Sequence, residues 1–131
     1  MTIALYPKKE QLEGLLAGPA DSPVVMLNLL RFKERADAPD EGESGIEAYQ
    51  RYATAMRRIV EGRGGRFLWS GSVDGQVIGE GAEDFQMAAI VEYPSRKVFV
   101  EIATSQEVAL IGAHRAAGLE GQWLLATTTS S

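Results

Sequence analysis

The hydrophobic positions change period three times along the chain, and each change marks an element. Val24 to Phe32 (VVMLNLLRF) is a near-continuous apolar run, the pattern of a strand covered on both faces. Ile46, Tyr49, Ala53, Met56 and Val60 then recur at steps of three and four, one face of an amphipathic helix with Tyr52 and Ile59 on its flanks. Ser44 and Glu47 form a capping box at its start, and Gly62, Gly64 and Gly65 stop it. Arg66 to Val73 and Phe85 to Tyr93 read as the strands of a long hairpin with an Asp74-Gly75 turn signal. Gln76 to Gly79 can resume the first of them. In that hairpin Phe67 and Trp69 share one face, with Ser70 and Ser72 on the other. Pro94-Ser95 opens a second major helix with Val98, Phe99 and Ile102 as its stripe. Ser105 renews it, and Val108, Leu110, Ile111 and His114 continue the apolar side to Gly118. Gln122 to Thr127 is the last strand. Ahead of all this, Pro7 and Leu12, Leu15 and Leu16 predict a short helix closed by Gly18-Pro19. The predicted helices cover about 7–17, 44–62 and 95–117.

Without the first helix the order is strand, helix, strand, strand, helix, strand. This is the split βαβ arrangement of an α+β, ferredoxin-like βαββαβ domain with a four-stranded antiparallel sheet. The whole of 1–131 forms one domain, with its core in 23–127 and an extra N-terminal helix. Both helices cover the same face of the sheet. The other face then carries half of VVMLNLLRF, half of FQMAAIVEY and part of FLWSGS, an apolar patch that calls for a partner. The simplest partner is a second copy, so a homodimer through the sheet face is expected.

PVVMLNLLRF, the hairpin ending in VEYPS, and SQEVALIGAHRAAGLEGQWLLAT together resemble the bacterial domain-of-unknown-function family 1330, of the dimeric α/β-barrel superfamily. The resemblance spans 23–127 and is most specific in the Tyr-Pro-Ser step and the His-Arg pair. It implies a ferredoxin-like homodimer and carries no reaction with it. Where the family often has Trp entering the third strand, this chain has Phe85.

Charge and composition narrow the field. Thirteen Lys and Arg against eighteen Asp and Glu give a net charge of −5, which argues against nucleic acid or an anionic membrane as partner. The absence of Cys excludes disulfides, thiolate nucleophiles and cysteine metal sites. With one His and no ligand-spaced pair, no metal site is expected, and no cofactor. The N-terminus has no signal-peptide pattern and no run is long enough to span a bilayer, so the expected compartment is the cytoplasm. Lys33 to Glu43 is polar and aperiodic, the composition of a surface loop, a lid at most.

No P-loop, HExxH or dinucleotide fingerprint is present. The candidate site consists of polar and amphipathic residues set into apolar elements. Asn28, Arg31, Trp69 and Tyr93 are the candidate substrate-binding residues, and His114 and Arg115 the candidate catalytic ones. His114 is an acid or base for neutral pH, and Arg115 or Arg31 a clamp for a carboxylate or enolate oxygen. Taken singly, the last two are better explained as a helix-end cation and a surface ion pair, and only their shared place beside one sheet end favours a site. A Ser70 or Ser72 triad with His114 is a matter for geometry. Three classes stay open. The first is a small-molecule protein, such as a cofactor-independent enzyme acting on a small organic or aromatic acid; superfamily relatives supply that analogy. The second is a non-catalytic ligand-binding or stress-related module. The third is a haem-handling protein suggested by Asn28, Trp69 and His114.

Overall fold

The computed structural model describes residues 2–130. Its elements are α1 (Lys9–Leu16), β1 (Val24–Phe32), α2 (Gly45–Gly62), β2 (Arg66–Ser72), β3 (Met87–Tyr93), α3 (Arg96–Ala103), α4 (Gln106–Gly118) and β4 (Leu119–Thr127). The four strands form one sheet in the order β2-β3-β1-β4, antiparallel at every step. This is the α+β, ferredoxin-like architecture that the pattern predicted. β1 occupies an inner position, which is why its apolar run is almost unbroken.

Alternation along β1 divides the sheet into two faces. Val24, Met26, Leu30 and Phe32 are buried beneath the helices. Val25, Leu27 and Leu29 face the other way. The main core joins Val24, Met26, Val91 and Tyr93 of the sheet to Tyr52, Met56 and Val60 of α2 and Ile102 of α3. The stripe of α2 is rotated from its expected centre: Ala48, Tyr52, Met56 and Val60 are buried, while Ile46 is exposed. The capping box forms as read, with Ser44 Oγ accepting from the Glu47 amide at 3.1 Å and Glu47 accepting from the Ser44 amide at 2.9 Å.

The second major helix is two helices. Thr104 ends α3, and Ser105 accepts from the Val108 amide at 3.2 Å to start α4, as Ser95 does from Val98 for α3. β4 follows α4 with no loop and starts at Leu119, three residues before the expected strand. Gly118 makes this possible, because an added Cβ there would stand 2.2 Å from the Gly45 carbonyl oxygen. Only glycine lets α4 run this close to α2. Residues 76–79 do not resume β2, and β3 starts at Met87 rather than Phe85.

Two segments are tied down more than their composition suggested. Ala4 pairs with Gln122 at the edge of β4. The 33–43 loop is anchored rather than free: Asp37 N–H donates to the Ala117 carbonyl, and Ala36 and Asp40 are buried. Nearby, Leu15 of α1 packs on the main core, and the buried Arg96 donates to the Pro19 carbonyl and to Thr128. Among the described residues no helix is long and apolar enough to cross a membrane, and no three His, Asp or Glu cluster to hold a metal.

Candidate functional site

Asn28 sits on the helix-facing side of β1, between Met26 and Leu30. An amide in that position must find partners, and its bonds run in one direction. Arg115 donates to Gln122 Oε1 at 2.8 Å, Gln122 Nε2 donates to Asn28 Oδ1 at 3.3 Å, and Asn28 Nδ2 donates to the Ala89 and Met26 carbonyls at 3.4 and 3.5 Å. The chain of bonds ties the end of α4 to the centre of the sheet through β4. Arg115 also stacks over the Tyr6 ring, 5.4 Å from its centroid.

Beside Asn28 lies a cavity of about 60 Å³ between α2 and the sheet. Asn28, Ala89, Val91, Tyr93 and Phe67 form its floor, and Tyr49, Tyr52, Ala53 and Met56 its roof. Ala53 and Ala89 explain the space, since each stands where a larger side chain would fill it. Tyr49 and Tyr52 are one helical step apart, with ring centroids 5.5 Å from each other. Tyr49 is braced edge-on by Phe32 at 5.2 Å and Tyr93 by Phe99 at 4.9 Å. Tyr52 and Tyr93 are 8% and 5% exposed, yet their rings border open volume.

The hydroxyls decide the chemistry. Among the described residues none of the three forms a hydrogen bond with a protein group, and no side-chain oxygen or nitrogen is sealed off without a partner. The three hydroxyls are therefore accessible, and their hydrogen bonds go to water or to whatever occupies the adjoining space. Burial pushes all three ionisations upward, and each phenolate would repel its neighbours. The Arg115 charge acts in the opposite sense on Tyr49 and Tyr52, so its positive field reaches the roof of the cavity. At neutral pH the site offers neutral O–H donors, an amide and a nearby cation.

The expected site residues are distributed over three places. Asn28 and Tyr93 line the cavity, and Arg115 reaches it through Gln122. Trp69 lies on the opposite face of the sheet. A bulge between Phe67 and Trp69 pairs Phe67 with Val91 but Trp69 with Ile90, so the two aromatics do not share a face as simple alternation implied. Arg31 also points to the open face, bonded to Glu120 at 3.1 Å and Asp84 at 3.4 Å. His114 does not border the cavity. Its Nδ1 is 2.7 Å from Oδ2 of Asp40, a carboxylate 6% exposed that also has Arg51 Nε at 3.8 Å. Ser70 and Ser72 belong to β2 with no tie to His114, so the triad does not form.

The sequence pattern marks Tyr49 and Tyr52 as core-edge residues rather than site residues, and it does not single out Gln122 or Asp40. The Tyr49–Tyr52 step on the helix that covers the Asn28 strand was a usable signal. Asp40 had none, since it sits in an aperiodic loop.

Comparison with known proteins gives the family but no activity. The family model for Domain of unknown function (DUF1330) matches residues 44–129. A protein of unknown function from Rhodopseudomonas palustris, solved as a structural genomics target, is 32% identical, superposes with a TM-score of 0.88, and covers 99% of each chain. A dabb family protein with a ferredoxin-like fold from Mesorhizobium loti is similar in fold, at 11% identity and a TM-score of 0.55 over 83% of this chain and 98% of its own. So is a dimeric ferredoxin-like protein of unknown function from Thermobifida fusca, at 11% identity and 0.52 over 98% of this chain and 100% of its own. No curated protein matches. By its family match and its full-length relative, the chain belongs to the DUF1330 family.

Proposed function

We propose that this domain binds a small organic molecule in the cavity beneath α2, and that two copies pair through the open sheet face. The observation carrying the first part is a cavity lined by three tyrosines and Asn28, with no protein hydrogen-bond partner for any of the three hydroxyls among the described residues. Buried polar groups left this way are stabilised by water or by a ligand. In this reading Asn28, Tyr49, Tyr52 and Tyr93 touch the ligand, and Arg115 acts through Gln122. The volume suits a few water molecules or a small head group; a larger ligand requires α2 to move outward. His114 stands outside the cavity, so the reading is one of binding and not of proton transfer by His114. Haem handling gains no support, because Asn28, Trp69 and His114 are not gathered at one place.

Thermal denaturation against a panel of small carboxylic acids and carbonyl compounds tests this, with Ala53→Leu as the blocked form. A ligand at a hundredfold over its Kd stabilises by about 2.7 kcal/mol. The stabilisation should vanish in Ala53→Leu. If it persists there, ligand binding is elsewhere and the proposal fails.

Pairing rests on the open face. Leu125, Leu27, Ile90 and Trp69 lie in one register row across all four strands, and Trp123, Leu29 and Ala88 in the next. Trp69 and Leu125 are 53% and 46% exposed in the single chain. A contiguous patch of this kind on a soluble domain fits a self-complementary interface. The similar fold from Thermobifida fusca is described as dimeric. Sedimentation at micromolar concentration should give twice the chain mass of 14.2 kDa. A monomer mass would refute the pairing.

A further inference from the structure

The polarity of the cavity constrains what it accepts, and this inference rests on the binding reading above. We infer that the ligand presents an oxygen acceptor to the tyrosines, a deprotonated oxygen head of the carboxylate, enolate or phenolate class, and not a cationic or donor-only group. The argument starts from what lines the space. No Asp or Glu is among the lining residues, so nothing there neutralises a cation. Asn28 Oδ1 accepts one bond from Gln122, and Gln122 Oε1 accepts one from Arg115. Asn28 Nδ2 is held only by two long bonds, 3.4 and 3.5 Å, to the Ala89 and Met26 carbonyls. Both of these donor bonds are long, so a stronger acceptor in the cavity can replace one of them.

The remaining groups are the three hydroxyls. A neutral phenol both donates and accepts, and none of these three donates to a protein acceptor, so an oxygen acceptor in the cavity can take bonds from those within its reach. An anionic oxygen takes two or three such bonds at once, and charge-assisted bonds are the stronger kind. Burial keeps the phenols protonated and so able to donate at neutral pH. Arg115 supplies positive potential at the same end of the cavity without entering it. A cation in the same place would find no carboxylate to neutralise it and would be repelled by Arg115.

Three planar probes of nearly identical shape test this directly: acetate, acetamide and acetamidinium. They run from acceptor-only to donor-only at constant size, each with four heavy atoms, small enough for the cavity as it stands. Titration of the intact protein is followed by amide chemical shifts of Asn28, Tyr49, Tyr52, Ala89 and Tyr93. Acetate should bind at least about tenfold more tightly than acetamidinium, with acetamide between. Tyr52→Phe and Tyr93→Phe should each weaken acetate about tenfold. If acetamidinium binds as tightly as acetate or better, the acceptor inference is overturned while the pocket stands. If no probe perturbs these amides, the binding reading itself falls. If acetate perturbs them equally in both Phe variants, the hydroxyls are not its partners and the inference is overturned by that route.

Discussion

Deleting one hydroxyl is the most direct perturbation of the tyrosine cluster. Tyr93 ends β3, its ring lies edge-on to Phe99, and its hydroxyl has no protein partner among the described residues. In Tyr93→Phe the ring and its packing remain. A buried hydroxyl bonded to protein typically contributes about 0.5–1.5 kcal/mol, and removing it can strand a partner at about 1–3 kcal/mol. Neither loss applies here. The expected change in unfolding free energy is therefore within about 0.5 kcal/mol of zero, with a small gain if the hydroxyl is poorly hydrated. For a domain of this size 1 kcal/mol moves Tm by roughly 3 °C, so the variant should melt within about 2 °C of the parent. Urea denaturation checks the free energy. A loss above about 1.5 kcal/mol would show that the hydroxyl holds the fold together, and the case for a ligand-facing cluster would collapse. Alkaline titration gives an independent reading. Burial raises the folded-state ionisation of Tyr49, Tyr52 and Tyr93 above the ordinary value of 10.0. Their neutrality thus stabilises the fold fully below about pH 10, and this contribution is lost as the pH climbs through the raised values. Absorbance at 295 nm should show these three ionising only with alkaline unfolding, and Tyr93→Phe should shrink that step by one tyrosine. Ionisation near pH 10 with the fold intact would contradict the burial argument.

The remaining predictions concern contacts that hold the site in place. His114→Ala leaves the buried Asp40 with Arg51 alone at 3.8 Å; urea denaturation should show a loss of about 1–3 kcal/mol, and the acetate titration should be unchanged. Leu27→Glu should convert the proposed dimer to a folded monomer by sedimentation. Met26→Glu, on the buried side of the same strand, should instead unfold the chain, because an unpaired carboxylate would enter the core. Gly118→Ala should cost about 1–3 kcal/mol or more by forcing α4 from Gly45, whereas Gly14→Ala, with open space around it in α1, should gain up to about 1 kcal/mol; matching melting temperatures would refute the packing argument.

Element order, sheet type and the capping of α2, α3 and α4 follow from local signals. Apolar period separates strand from helix, and Ser44, Ser95 and Ser105 cap where they stand because capping involves residues only three apart. The inner place of β1 was legible for the same reason: an unbroken apolar run has no solvent side. Asn28 and Tyr93 were legible as polar or amphipathic insertions in such runs. The rest required long-range pairing. Trp69 crossed to the open face because one bulged residue reverses every later side chain in a strand, and nothing in RFLWSGS marks where the bulge falls. Tyr49 and Tyr93, far apart in the chain, meet because the register of β3 on β1 carries Tyr93 under α2. Asp40 became buried because Gly45 and Gly118 let α2 and α4 close on each other, drawing the 33–43 loop onto His114 and Ala117. Periodicity reports which side of an element is apolar. Which polar groups from different elements share one cavity depends on register and close approach, and these exist only once the chain has folded.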